Sequence, residues 1–269
     1  MAQMIQRGQY RQEGRIAHLC IVIPTYNEHA TIGKLLTEIF AQEAQQSTPD
    51  AAIFSVLIVD DNSPDGTADV VRGFQAANPR VHLLVREQKQ GLGAAYVAGI
   101  TEALERLEPD AIVEMDADLS HHPRYLLEMI AKLNEGYDFV IGSRYVAGGS
   151  IPAHWGFKRV FLSSAANAYT RVMLGLYAIK DCSGGYRAIR ASYLRSINLN
   201  KLTVSGYSFQ AVILEAVVHA GGSVVEIPIH FSDREEGASK MSARDVLEWG
   251  RVLFVLRMRR IGEEMRGGR

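Results

Sequence analysis

The sequence predicts an α/β fold built on a single, doubly wound and mainly parallel sheet. Short β-branched runs alternate with helix-like segments from His18 to about Ser143. Each run is apolar along most of its length, which is typical of strands that are covered by helices on both faces. With 269 residues and a hydrophobic content of 47%, the chain is large enough to bury a real core.

The elements follow in a regular order in the first half and a looser one in the second. Strands are predicted at residues 19–24, 54–61, 81–87, 111–116, 138–143 and 223–231. Helices are predicted near residues 29–45, 66–77, 91–107, 123–135, 155–175 and 207–220, with a final helix after a polar loop at 232–242. Since neither an internal repeat nor a linker interrupts this order, one main domain is expected.

The domain boundaries follow from composition. Residues 1–16 are polar, lack the apolar centre of a secretion signal, and are expected to form a flexible tail. The main domain is assigned to residues 17–241 and an amphipathic C-terminal helix to 242–269. "VLFVL" (252–256), among the longest strongly apolar runs, is much shorter than the roughly 18 to 20 residues of a membrane span.

Charge and cysteine content exclude some classes of partner. A net charge of -1 gives no basic field, so nucleic acid is not expected as a partner. Cys20 and Cys182 provide neither a disulfide framework nor metal-ligand spacing, which fits a reducing, cytoplasmic setting.

Polar residues follow each of the first five predicted strands. They are "PTYNE" (24–28), "DDNSPDG" (60–66), Arg86 with Lys89, "DADLS" (116–120) and "GSRY" (142–145). Ligands of open α/β sheets bind beyond the carboxyl ends of the strands. We therefore expect these five groups to meet at one edge of the sheet.

The acidic pair Asp116 and Asp118 is the strongest candidate for a metal site. Side chains at positions i and i+2 of a strand point to the same face, so both carboxylates could reach one divalent cation. Oxygen ligands favour Mg²⁺ or Mn²⁺ over zinc. Alternatively, Asp118 or Ser120 only caps a helix that begins near Pro123. His121 and His122 are adjacent and diverge, so a structural or capping role is expected for them.

A phospho-acceptor receiver module is an alternative from a different class, because "VDDN" followed by "MDADLS" resembles the acidic residues of such domains. A receiver also needs a Lys-Pro pair, and this chain contains none.

Arg144 directly follows a predicted strand, where its guanidinium could bind phosphate oxygens. Arg234 and Lys240 lie in a glycine-containing segment that either closes over a diphosphate or is an ordinary loop.

Taken together, the motifs resemble the inverting family 2 glycosyltransferases, and within these the dolichyl-phosphate (polyprenyl-phosphate) mannose synthases. The resemblance extends from about residue 18 to 255. It rests on "PTYNE", "VDDNSPDGT", "KQGLGAAY", "MDADLSHHP", "GSRY", "DCSGGYR", "GYSFQ" and "REEGASKMS".

The resemblance implies a GT-A fold and a role for each matching residue. Asp116, Ala117 and Asp118 would meet the metal and the diphosphate, with Ser120 where many relatives have a metal-binding glutamine. Asp181 would orient Arg187 or act as a base, and we favour the orienting role. The nucleotide would contact Pro24, Tyr26, Glu28, Val59 and Asp61, with Lys89 and Gly91 nearby. The basic residues Arg144, Arg234 and Lys240 would surround the donor diphosphate and the acceptor phosphate, and Arg159 and Ser163 would contact the acceptor phosphate.

The implied activity is transfer of mannose from GDP-mannose to dolichyl or polyprenyl phosphate with inversion, using Mg²⁺ or Mn²⁺. UDP-glucose or another sugar nucleotide is the alternative donor. A phosphate monoester has a second pKa of about 6, so this acceptor needs little or no general base. The enzyme is expected at the cytosolic face of a membrane, attached peripherally, with room for an accessory membrane subunit or a homo-oligomer.

The C-terminal segment is expected to have two apolar sides. Trp249, Leu253 and Leu256 form one stripe, while the other consists of Leu247, Phe254, Met258, Ile261 and Met265. One side could pack on the core and the other contact lipid, with nearby arginines meeting acidic headgroups. The alternative is a helix that packs wholly on protein.

Overall fold

The computed structural model describes residues 14–48, 50–152, 154–199, 208–232, 249–258 and 260–261. Within them the chain forms one sheet of strand order β3-β2-β1-β4-β6-β5-β7. The strands are β1 (His18–Thr25), β2 (Ile53–Asp60), β3 (Val81–Val85), β4 (Ala111–Glu114), β5 (Phe139–Ser143), β6 (Arg187–Arg190) and β7 (Val224–Pro228). The predicted mainly parallel sheet is confirmed.

Strand β6 is the antiparallel member of this sheet, and the sequence did not predict it. It lies between β4 and β5, with Ala111 opposite Arg190 and Phe139 opposite Ile189. The strand is only four residues long and begins and ends with arginine, so it shows no alternation of apolar and polar residues. Because β4 and β5 both run antiparallel to β6, they remain parallel to each other, and their carboxyl ends lie at the same edge.

Helices cover both faces of the sheet, and successive strand residues alternate between two cores. Ile21 and Ile23 of β1 pack with one core, whereas Cys20 and Val22 pack with the other. The first core includes residues of α1 (His29–Ala44), α2 (Thr67–Ala77) and α4 (Leu126–Asn134). The second includes residues of α3 (Leu92–Glu102), α5 (Phe157–Leu174), α6 (Ala191–Ser196) and α7 (Ser208–His219).

The C-terminal helix comprises residues 249–258 with 260 and 261, and it packs on the second core. Leu253 is fully buried there, while Phe254 and Met258 are exposed. This agrees with two apolar sides; Leu247 and Met265 lie outside the described residues. No helix in the described part of the chain is both long enough and apolar enough to span a membrane.

The packing of α3 on the sheet predicts that Gly99→Ala destabilises the protein. A Cβ atom at residue 99 would lie 2.6 Å from both Val22 Cγ1 and Val59 Cγ2. Both valines are fully buried and have few alternative rotamers, so crowding should cost about 1–3 kcal/mol of unfolding free energy. Denaturant titration measures that difference.

Gly73→Ala in α2 is the matched control. No atom lies within 4 Å of an added Cβ at that position, so alanine should stabilise the helix by about 0.5–1 kcal/mol. Equal stabilities of the two variants would contradict the close approach of α3 to β1 and β2.

Candidate active site

The order of the strands arranges the polar strand ends along one edge of the sheet. Arg86 follows β3, Asp61 follows β2, Tyr26 follows β1, the acidic pair follows β4, and Arg144 follows β5. The five groups therefore share one edge, as the sequence predicted. The acidic pair lies near the middle of this row.

One end of the row is formed by the loops after β1, β2 and β3. Arg86 Nη1 donates to Asp61 Oδ1 at 2.7 Å, and both side chains are largely buried. Lys89 Nζ lies 3.6 Å from the centroid of the Tyr26 ring. Burial raises the pKa of Asp61, and the charges of Arg86 and Lys89 only partly offset this rise.

The turns at this end are held by side chains that bond across the strand ends. Thr25 Oγ1 donates to Asp60 Oδ1 at 2.9 Å, and the N–H of Glu28 donates to Thr67 Oγ1 at 3.0 Å. Pro24 is the second-to-last residue of β1, and Gly91 lies in the loop directly before α3. The Val59 side chain is fully buried in the second core, so a nucleotide contact from this residue would come from its main chain.

The acidic pair lies in a turn rather than on the predicted strand. Strand β4 ends at Glu114, and Leu119 has a φ of 63°, a conformation that reverses the chain. The i, i+2 argument for a shared strand face is therefore wrong. The turn itself is braced, because the N–H of Asp116 donates to His121 Nδ1 and the N–H of Ser120 donates to Asp118 Oδ1, both at 3.0 Å.

The two histidines have structural roles. The His121 ring is buried and stacks on Tyr186 with 5.0 Å between ring centroids. Because Nδ1 accepts from Asp116, this nitrogen carries no proton. His122 Nδ1 accepts from the N–H of Arg124 and caps the 3₁₀ turn Pro123–Tyr125. The cap thus comes from His122, not from Asp118 or Ser120.

The acidic turn fits a divalent cation. Asp118 is 7% exposed, and the Ser120 Oγ atom beside it is buried without a hydrogen-bond partner in the described structure. Among the described residues there is no group of three or more His, Cys, Asp or Glu side chains that could hold a metal alone. Two carboxylates with a hydroxyl suit Mg²⁺ or Mn²⁺, which complete their coordination with water and phosphate oxygens.

Arg144 is fixed by a buried carboxylate. Its Nε donates to Asp181 Oδ2 and its Nη2 to Asp181 Oδ1, each at 2.8 Å, and Asp181 is fully buried. The N–H groups of Arg144 and Gly184 also donate to this carboxylate. Burial alone would raise the pKa of Asp181, but Arg144 outweighs it, so the pKa lies below its ordinary value.

Asp181 therefore orients Arg144, and the expectation that it orients Arg187 is wrong. Arg187 is fully buried and donates instead to the carbonyl oxygens of Cys182, Gly184 and Gln210. These bonds tie the loop before β6 to the first turn of α7. Burial lowers the pKa of Arg187 and raises that of the neighbouring Glu114 to about 7.

The other end of the row is formed by the loop after β5 and the start of α5. Tyr145 Oη and Ser163 Oγ lie 2.7 Å apart and share a hydrogen bond. The Arg159 guanidinium lies over the Trp155 ring, 3.6 Å from its centroid. Arg234 and Lys240 lie outside the described residues.

Comparison with known proteins places this geometry in a family. The model of the Glycosyl transferase family 2 domain matches residues 20–197. The chain belongs to this family. As a family 2 glycosyltransferase it is an enzyme, so the receiver alternative is excluded.

Two relatives match this chain over most of its length. It is 41% identical over 238 residues to the polyprenol monophosphomannose synthase of Mycolicibacterium smegmatis, covering 86% of each chain. It is 41% identical over 236 residues to the undecaprenyl-phosphate mannosyltransferase of Micrococcus luteus, covering 85% of this chain and 92% of that one.

The fold also matches a solved structure. The glucosyl-3-phosphoglycerate synthase of Mycobacterium tuberculosis, in complex with Mn²⁺, UDP-glucose and phosphoglyceric acid, superposes with a TM-score of 0.62 at 18% identity. The match covers 94% of this chain and 85% of that chain. The GT-A fold expected from the resemblance is confirmed.

Sequence reasoning missed three residues that shape this glycosyltransferase site. Arg86 was noted only as a strand-end residue, Tyr145 was not singled out, and Glu226 was placed in an ordinary strand. Glu226 accepts from the N–H groups of Lys180 and Asp181, both at 2.8 Å. A lone glutamate in "VVEIP" was the available signal, because a carboxylate on a half-buried strand needs a partner.

The Asp181 and Arg144 pair predicts an acid-dependent stability. Asp181→Asn should cost about 3–5 kcal/mol near pH 7, because it leaves a buried guanidinium without its counter-charge. The folded pKa of Asp181 lies below the ordinary value of 3.8, so its stabilisation is present above that value and is lost as the pH falls further. The difference in unfolding free energy between wild type and variant should therefore shrink below about pH 4.

Urea titrations at a series of pH values measure this difference. Asp50→Asn, at the exposed Asp50–Arg15 pair, is the control and should change the unfolding free energy by less than about 1 kcal/mol. A difference for Asp181→Asn that stays constant down to pH 3 would contradict the lowered pKa.

Proposed function

We propose that this enzyme transfers mannose from GDP-mannose to a polyprenyl phosphate such as dolichyl phosphate, with inversion at the anomeric carbon. The central observation is that the acidic turn lies between the two ends of the row of polar strand-end groups, and that these two ends differ in chemistry. One end, at Tyr26, Asp61 and Lys89, suits a nucleotide, and the other, at Arg144 and Ser163, suits a phosphate. The names of both relatives support mannose as the sugar and a polyprenyl lipid as the acceptor.

At the nucleotide end, Asp61 and Arg86 form a paired acceptor and donor suited to the edge of a base. The Tyr26 ring and Lys89 add an aromatic face and a positive charge. Asp116, Asp118 and Ser120 would hold Mg²⁺ or Mn²⁺. The bound cation would neutralise the donor diphosphate as the sugar leaves.

At the phosphate end, the chain presents a preorganised guanidinium. Asp181 engages Nε and Nη2 of Arg144, which leaves Nη1 to reach a phosphate oxygen. Arg159 and Ser163 would contact the acceptor phosphate from α5. Fixed donors stabilise developing charge without reorganising during the reaction.

The acceptor phosphate would act without a general base. It is largely dianionic at neutral pH, since its second pKa is about 6. Asp181 cannot serve as the base, because Arg144 occupies both of its carboxylate oxygens. Attack of the phosphate oxygen on the anomeric carbon, opposite the departing diphosphate, converts an α-linked donor into a β-linked product.

A polyprenyl phosphate is confined to a membrane, so we place the enzyme peripherally at the cytosolic face. The exposed side of the C-terminal helix, at Phe254 and Met258, supports contact with lipid. An accessory membrane subunit or a homo-oligomer is compatible with this placement.

Asp118→Ala should reduce transfer at least a hundredfold, because the loss of one of two carboxylates weakens the cation site. Measuring initial rates over a range of Mn²⁺ concentrations checks this. Asp69→Ala, which removes an exposed carboxylate paired with Arg72 on α2, is the control and should retain full activity. Near-normal rates for Asp118→Ala would refute the metal role of this residue.

The donor is tested with labelled GDP-mannose and labelled UDP-glucose, each incubated with Mn²⁺ and a short polyprenyl phosphate. Label should enter the lipid fraction from GDP-mannose. Label that entered only from UDP-glucose would replace the mannose assignment with glucose, and no transfer from either donor would contradict the proposed substrates.

A further inference from the structure

The loop between α5 and β6 places an exposed hydroxyl beside Arg144. Ser183 Oγ accepts a hydrogen bond from Arg144 Nη2 at 3.1 Å, and Ser183 is exposed. Because β6 runs antiparallel to β4 and β5, its amino end lies at the same edge of the sheet as their carboxyl ends. Ser183 therefore lies at the phosphate end of the candidate site.

The hydroxyl hydrogen of Ser183 has a poor acceptor. A serine hydroxyl donates one hydrogen, and the acceptor for it in the described structure is Asp181 Oδ1, 3.4 Å away. Normal O–H···O bonds are about 2.5–3.0 Å long. Asp181 Oδ1 also accepts from Arg144 Nη2 at 2.8 Å and from the N–H of Gly184 at 2.9 Å. The hydroxyl can thus turn to a better acceptor at small cost.

The main chain of Ser183 is fixed by α5. Its N–H donates to Asn167 Oδ1 at 3.2 Å, and Asn167 is buried. Asn167 lies one turn beyond Ser163 on the same side of this helix, and Ser163 Oγ shares a hydrogen bond with Tyr145 Oη. Hydrogen bonds from α5 therefore hold both the loop that follows β5 and the loop that precedes β6.

Bracing of Arg144 is the alternative role for Ser183. Asp181 already holds the Arg144 guanidinium through two bonds of 2.8 Å, and the N–H of Arg144 adds a third bond to the same carboxylate. One more partner at the exposed side adds little, since water can replace it there. A positioned hydroxyl beside a fixed guanidinium is, in contrast, typical of the few polar groups that orient a ligand.

We propose that Ser183 is a further binding residue for the acceptor phosphate. Its hydroxyl donates to a phosphate oxygen while Oγ keeps the bond from Arg144 Nη2. Asn167 is a positioning residue, because it acts through the main chain of Ser183. A phosphate monoester has three terminal oxygens, so Arg144 Nη1 and the Ser183 hydroxyl can bind it together. The assignment of this phosphate to a polyprenyl lipid rests on the proposed function.

The test is calorimetric binding of a short polyprenyl phosphate, dispersed in detergent, to the full chain with GDP and Mn²⁺ present. Ser183→Ala should weaken this binding about tenfold or more, because a hydrogen bond to a charged group is lost. Ser183→Thr keeps the hydroxyl and should restore most of the affinity. The affinity for GDP with Mn²⁺ should stay the same in both variants.

Ser196→Ala is the matched control. Ser196 Oγ donates to the carbonyl oxygen of Tyr193 at the end of α6, which follows the carboxyl end of β6 and so lies away from the site. This variant should bind the polyprenyl phosphate like wild type.

Double variants separate phosphate binding from bracing. Arg144→Lys keeps a counter-charge for Asp181 but lacks the Nη2 group that bonds to Ser183. Adding Ser183→Ala to Arg144→Lys should weaken binding further, since the hydroxyl itself contacts the phosphate. Asn167→Leu should weaken binding more in wild type than in the Ser183→Ala background, because Asn167 acts through Ser183.

Two results would overturn the proposal. One is an unchanged affinity for the polyprenyl phosphate in Ser183→Ala. The other is no further loss when Ser183→Ala is added to Arg144→Lys, which would leave Ser183 as a brace.

Transfer assays with GDP-mannose keep this proposal distinct from the proposed function. A wild type that binds the polyprenyl phosphate but transfers no mannose to it would contradict the proposed function, while the loss of affinity in Ser183→Ala would still support the phosphate contact. A wild type that does not bind the polyprenyl phosphate would contradict both.

Discussion

The buried pair of Asp181 and Arg144 determines the geometry of the phosphate end of the site. Asp181 precedes β6 and Arg144 follows β5, so the pair joins two loops 37 residues apart. A free arginine side chain loses considerable rotamer entropy when it binds a ligand. Here folding has already imposed that order, and the planar guanidinium is held by two parallel bonds before any ligand arrives.

The pair depends in turn on groups that hold the Asp181 loop. Glu226 of β7 accepts hydrogen bonds from the N–H groups of Lys180 and Asp181. Arg187 donates to the carbonyl oxygens of Cys182 and Gly184 in this loop and to that of Gln210 in α7, so it ties the loop to the helix. Gly185 lets the same loop approach the acidic turn closely, because a Cβ atom added at residue 185 would lie only 3.2 Å from His121 Cε1. The antiparallel strand β6 thus links the acidic turn to the phosphate end.

The features that could be predicted from the sequence are those that depend on local residue patterns. Apolar runs and the polar residues after them were sufficient to place five strand ends on one edge. The partner of Asp181 could not be predicted, because Arg187 is near it in the sequence, whereas Arg144 is 37 residues away and only the tertiary structure brings it to the carboxylate. Strand β6 was missed because four residues with arginines at both ends carry no periodic signal. The histidines became interpretable only when the turn showed which N–H groups they accept.

Each end of the site orients its cations by two different means, a carboxylate partner and an aromatic ring. Arg144 and Arg86 are paired with Asp181 and Asp61, which fix direction but cancel formal charge. Lys89 and Arg159 lie over the rings of Tyr26 and Trp155, each 3.6 Å from the centroid. An aromatic face orients a cation without adding a negative charge. The site therefore combines rigid guanidinium forks with cations held against aromatic rings, which suits two anions that must approach each other.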